Sequence, residues 1–152
     1  YAPYKPNIED YPAVIKNNNI LFFAHDLDRI YAQNGSRVHR QLFGNAIRVF
    51  HQNLFIETKG LPSAGRISLL HQKEKSRFVL HLLYAPPLER GRCLVIEDMP
   101  EIHNVEVSIN LDKKINSAFI VNLDKKLDFK DNEKINIKIE RFTMHEAIVL
   151  NY

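Results

Sequence analysis

Seven histidines and the close carboxylates Asp26 with Asp28 and Glu97 with Asp98 are groups in this 152-residue chain with the reach for metal or acid–base chemistry. Zinc sites draw ligands in pairs a few residues apart, because a tetrahedral ion needs two donors from one turn or hairpin. His25, His39, His51, His71, His81, His103 and His145 contain no such pair, so neither a metal nor a cofactor is expected. Acid–base cleavage by two carboxyl groups needs them ~5–10 Å apart on one side of the bond. Glu97 and Asp98 are adjacent, and on a strand adjacent side chains point to opposite faces. Asp26 and Asp28 would share a face at the C-terminal end of a strand, where α/β proteins place functional groups. They are candidate ligand contacts, weighed against loop solvation and helix capping. Cys93 opens the apolar run CLVIE and reads as a small buried hydrophobe, since no activating partner stands near it in sequence. No serine or cysteine sits in a nucleophile elbow, and five glycines form no phosphate-binding loop. No catalytic residue is expected in this chain.

The elements that would position these groups fall into two styles. Ile20 to Ala24, ILFFA, is continuously apolar, the pattern of a strand covered on both faces in a parallel sheet. Val38, Leu42, Phe43, Ala46, Ile47 and Phe50 then recur at helical spacing, with Ser36 as the expected N-cap whose hydroxyl takes a first-turn amide. One strand and one helix are half of a βαβ unit, and no second half follows. From Leu54 the chain reads as strand after strand: LFIET, RISLLHQ, FVLHLLY, CLVIE, VEVSINL, AFIVNL, KINIKIE and EAIVLNY. VEVSINL and KINIKIE alternate apolar and polar residues, as a sheet with one wet face requires. RISLLHQ and FVLHLLY flank the charged connector Lys73-Glu74-Lys75-Ser76 as a hairpin. The fold class expected is therefore mainly β, an antiparallel β-sandwich of about eight strands preceded by one strand–helix unit. The pentad NLDKK occurs at Asn110–Lys114 and again at Asn122–Lys126, expected as two similar strand-end turns.

Length suits one domain, or one domain with a fragment of another. Apolar residues make up 45% and charged residues 26%, which is ordinary globular usage and argues against disorder. The net charge of +3 sets 21 Lys and Arg against 18 Asp and Glu, intermixed along the chain, so no nucleic-acid patch is expected. Apolar runs of about five residues fall short of the ~20 a membrane span needs. A single cysteine excludes an internal disulfide and leaves the compartment open: cytoplasmic, or bacterial periplasmic or extracellular. Residues 1–19 carry Pro3, Pro6 and Pro12 and read as an extended arm or linker. The chain begins at Tyr1, and a preceding stretch is expected. Without tryptophan, and with most tyrosines among the first 31 residues, the strand-rich part lacks the flat rings that sugar recognition favours.

The passages ILFFAHDLDRIYAQNGSRVHRQLFGNAIRVF, LFIETKGLPSAGRISLLHQKEKSRFVLHLLYAPP and LVIEDMPEIHNVEVSINL resemble the tail end of bacterial glycoside hydrolases of the family 42 β-galactosidase kind and their relatives. The likeness is one of pattern, strongest at D-x-x-R-x-Y over Asp26, Arg29 and Tyr31 and at HLLYAPP over His81 to Pro87. It implies a catalytic (β/α)8 barrel, then a flavodoxin-like α/β trimerisation domain, then a terminal β-sandwich. On that plan residues 1–19 are a linker, residues 20–53 the last strand and helix of the α/β domain, and residues 54–152 the sandwich. Asp26, Asp28, Arg29 and Tyr31 become candidate ligand or interface contacts. The family's catalytic glutamates lie on the barrel, upstream of this chain. What is implied is a non-catalytic C-terminal fragment with a structural or assembly role, whose partners are the remainder of the parent polypeptide and, through trimerisation, further copies. The alternative is a carbohydrate-binding β-sandwich module, with carbohydrate as the partner; neither reading involves nucleic acid or a membrane.

Overall fold

The computed structural model describes residues 12–52, 54–131 and 133–152. The chain divides into two compact units, residues 1–54 and residues 55–152.

The first unit opens with a hairpin in which β1 (Val14–Asn17) pairs antiparallel with β2 (Ile20–Phe23), placing Val14 opposite Phe23 and Asn17 opposite Ile20. The turn is made by the asparagine run, with Asn18 at φ 49, a left-handed conformation that asparagine tolerates. The strand expected to lie in a parallel sheet is thus an antiparallel hairpin arm with Ile20 and Phe22 exposed. Local turn chemistry decides the pairing, because two residues suffice to return the chain whereas a parallel partner needs a long crossover. Of the arm expected over residues 1–19, residues 1–11 lie outside the described residues and Val14–Asn17 is this strand. Helix α1 (Leu27–Asn34) ends at Gly35, whose φ of 61 lets its N–H reach the Tyr31 carbonyl at 2.8 Å. Helix α2 (Arg37–Phe50) follows at once. Ser36 occupies its N-cap position in extended conformation, but its hydroxyl makes no capping hydrogen bond.

The second unit is a β-sandwich. Its longer sheet has the order β10 (Lys125–Lys126), β9 (Ser117–Ile120), β13 (His145–Asn151), β5 (Arg77–Leu83), β4 (Arg66–Gln72). Its shorter sheet runs β11 (Phe129–Asp131), β12 (Ile135–Thr143), β8 (Glu101–Ile109), β3 (Ile56–Lys59). Every pairing is antiparallel. The β4–β5 hairpin forms as the sequence predicts, closed by a 3-10 turn at Lys73–Lys75 and by Ser76 at φ 47.

Alternation places the core. In β12, Ile135, Ile137 and Ile139 are buried while Asn136, Lys138 and Glu140 face water; in β8, Val105, Val107 and Ile109 do the same opposite them. From the other sheet Phe78, Leu80, Leu82, Ile120, Ile148 and Leu150 complete one contiguous cluster. Each such side chain contributes ~1.5–3 kcal/mol on leaving water, which fixes the register because a one-residue slip would expose the whole row. The alternation breaks once, at His103–Asn104 against Glu140–Arg141, where two consecutive residues on each strand are exposed. Asn104 takes φ 53 there, and both strands turn so that Ile102 and Phe142 point inward at their ends. Gly60, at φ 79, passes so close that a Cβ would stand 2.6 Å from the Asn104 carbonyl oxygen.

Three expectations for this unit change. Of CLVIE, only Cys93–Val95 is strand; as β7 it pairs with β6 (Leu88–Arg90) in a two-stranded ribbon outside the sandwich, leaving Leu94 and Cys93 exposed. Cys93 is therefore a surface thiol, because a ribbon with no facing sheet has nothing to bury it against. The NLDKK copies make unlike connections: the first lies on the crossing from β8 in the shorter sheet to β9 in the longer one, whereas the second closes the β9–β10 hairpin through Asp124 at φ 46. Short edge strands β10 and β11 join the seven other expected runs in the two sheets of the sandwich.

Candidate functional site

The four residues singled out by sequence all fall on or just before α1. Asp26 sits at its N-cap position, and its Oδ2 accepts from Arg29 Nε at 3.0 Å and lies 2.8 Å from Arg29 Nη2. Both side chains are about two-thirds exposed, so the pair locks one turn of helix without isolating a charge. Asp28 Oδ1 accepts the Arg29 backbone N–H at 2.8 Å, and its charge lies in the first turn, where the helix dipole favours an anion. The two aspartates thus stand on a helix start rather than along a strand, and each is engaged by Arg29 in a different way.

Asp28 and Tyr31 line a cleft of about 210 Å³ between α1 and α2, with Leu27, His39, Arg40 and Phe43; Asp26 and Arg29 do not line it. The cleft is almost wholly apolar in surface, and Leu27 at its floor is buried. The His39 ring meets His25 edge-on with centroids 6.1 Å apart, and His39 Nδ1 is buried without a hydrogen-bond partner among the described residues. A buried ring nitrogen without a partner costs on the order of a kcal/mol, which a polar atom entering the cleft would relieve. Apolar walls with one carboxylate at the rim can hold a side chain; they offer no second carboxylate or metal donor set for bond cleavage.

In the sandwich, sequence spacing missed one constellation. His81 on β5 and His145 on β13 lie 64 residues apart in sequence, yet His81 Nδ1 and His145 Nε2 are 3.0 Å apart. The ring planes differ by 16° and the centroids are 5.3 Å apart, little more than the nitrogen gap plus two ring radii, so the rings meet edge to edge. The two ring nitrogens are within hydrogen-bond reach of each other, with the donor set by the tautomer, and the pair does not converge on a third atom. Only the strand register could have revealed this pair. His71 stacks on Phe78 with ring centroids 4.2 Å apart and shares a 2.9 Å hydrogen bond with the Tyr152 hydroxyl. Among the described residues no group of three or more His, Cys, Asp or Glu is placed to hold a metal ion. Glu97 is held by Arg90 across the β6–β7 ribbon at 2.9 Å.

The outer face of the shorter sheet carries a groove of about 490 Å³ bordered by Glu106, Ser108, Asp128, Lys130, Asn136 and Lys138. Ser108 donates to Asn136 Oδ1 at 2.6 Å within it. Phe129, which also borders the groove, packs against the core.

No family model and no curated protein matches the chain. Among solved structures it is similar to alpha-L-fucosidase isoenzyme 2 from Paenibacillus thiaminolyticus, with a TM-score of 0.86 and 26% sequence identity. The match covers 93% of this chain and 22% of that one, so this chain corresponds to about a fifth of the fucosidase. Its mainly β fold is shared with a segment of a glycoside hydrolase several times its length.

Proposed function

We propose that this chain is a non-catalytic C-terminal portion of a glycoside hydrolase and serves packing and assembly rather than chemistry. The observation that carries the reading is the similarity of 93% of the chain to 22% of the fucosidase. The side chains agree with it. Asp26 and Asp28 are engaged by Arg29, Glu97 is engaged by Arg90, and His81 and His145 are turned on each other. The parent's catalytic carboxyl groups would then stand on a separate barrel.

For the parent's sugar, the fold match favours an α-L-fucosidase over a β-galactosidase, because it spans nearly the whole chain whereas the family 42 likeness rests on sequence pattern. The test is to read the open frame that holds this sequence and assay its full product on aryl α-L-fucosides and aryl β-galactosides. Hydrolysis by the full product and none by residues 1–152 is expected. Hydrolysis by residues 1–152 alone, or a frame with no barrel-sized stretch outside them, would sink the reading.

A second reading rests on the groove beside Ser108 and Asn136, whose planar polar groups suit sugar hydroxyls. It makes the sandwich a carbohydrate-binding module. The aromatic ring at that groove, Phe129, packs against the core, which weighs against neutral glycans. Retardation of the chain in gels containing polysaccharide, abolished by Asn136→Ala, would favour it, and unaltered mobility in every glycan would remove it.

A further inference from the structure

Helix α2 is amphipathic in sequence, yet none of its fourteen residues is buried. Val38, Phe43, Ile47, Val49 and Phe50 are exposed, Val38 to 72%. With Leu42 and Ala46 between them, and at ~100° per residue, these positions sweep about half the helix circumference. An apolar stripe that wide needs cover on two sides, and α1 supplies one. Isolated large apolar residues on a surface are normal, but a contiguous patch marks an interface. Lys16 Nζ lies 5.7 Å from the Phe50 ring, so the hairpin arm with exposed Ile15, Ile20 and Phe22 adjoins the end of the same helix. The other half of α2 carries Arg37, Arg40 and Arg48 and no acidic residue.

We propose that this face of α2, with the cleft it shares with α1, is the docking surface for the remainder of the parent polypeptide, an inference that rests on the function proposed above. The occupant is an apolar layer that covers the exposed stripe from Val38 to Phe50. One of its apolar side chains fills the α1–α2 cleft; at about 210 Å³ the cleft exceeds the ~150 Å³ apolar cavity that holds a benzene ring. One of its polar atoms satisfies His39 Nδ1. The remainder of the parent is favoured over a second copy by length: in the fucosidase the matching segment is 22% of the chain, so most of that chain lies outside it. Cover from the same polypeptide also acts at high effective concentration.

Amide hydrogen exchange on residues 1–152 and on the full product of the reading frame tests this. Residues 37–50 are expected to exchange at least ~100-fold more slowly in the full product, while Ile135–Thr143 exchange alike in both. Phe43→Asp should abolish that slowing and leave the sandwich amides unchanged. Equal exchange of residues 37–50 in the two forms overturns the docking surface; if the full product still hydrolyses aryl glycosides, the function proposed above survives. A full product without hydrolase activity removes both. If residues 1–152 form a dimer by light scattering that Phe43→Asp dissociates, the face belongs to a second copy and the proposal fails.

Discussion

The two units of this molecule draw on the same kinds of apolar residue and do opposite things with them. The sandwich sets Leu80, Leu82, Val105, Ile109, Ile139, Ile148 and Leu150 almost wholly out of water. The helical unit, among its described residues, fully buries one hydrophobic side chain, Leu27, and leaves Ile20, Phe22, Val38 and Phe43 more than half exposed. Two facing sheets present two apolar surfaces of matching area and so finish each other. A two-stranded hairpin and two helices cannot, since each stripe needs a second layer. The lesson is that burial is divided along the chain: the sandwich is a finished core, and the helical unit leaves its apolar stripe in water.

That contrast can be broken most forcefully at its strong end. Leu80→Ala removes a fully buried side chain from the middle of β5 and should cost ~2–5 kcal/mol, read as a lower urea midpoint with unchanged slope. A cost below ~1 kcal/mol would mean that the core is not well packed. Gly60→Ala should come next, at ~1–3 kcal/mol, because alanine at φ 79 is strained and its Cβ would collide with the Asn104 carbonyl. Asp26→Ala should cost ~0.2–1 kcal/mol, since an ion pair this exposed is largely screened; half-molar salt should shrink the effect further. Phe43→Ser, though it deletes an aromatic ring, should move the stability of the chain by no more than ~1 kcal/mol, because about half of that residue is already in water. A larger loss there would show that the helical unit has a core of its own.

How much of this was legible beforehand follows the same division. KINIKIE and RISLLHQ were readable because period-two alternation and a turn between two matched runs are local signals, and the facing sheet they require is in this chain. ILFFA was legible as a strand but not in its pairing, because its partner VIKN is short, half polar and placed just after Pro12. CLVIE looked like any other core strand, and nothing in five residues says whether a second sheet will lie over them. The α1 residues were found by pattern, but their bonding to Arg29 depends on helix geometry that a strand reading could not supply. The His81–His145 contact was invisible because cross-strand neighbours are set by register and not by spacing.

The claim that the sandwich is finished and the helical unit is not can be tested most directly by native-state hydrogen exchange on residues 1–152 alone. The amides of Ile148 and Val149 in β13 should exchange only through global unfolding, while those of α2 from Gln41 to Phe50 should exchange through low-energy local opening that is insensitive to denaturant. Equal protection of the two sets, with one shared dependence on denaturant, would contradict the account.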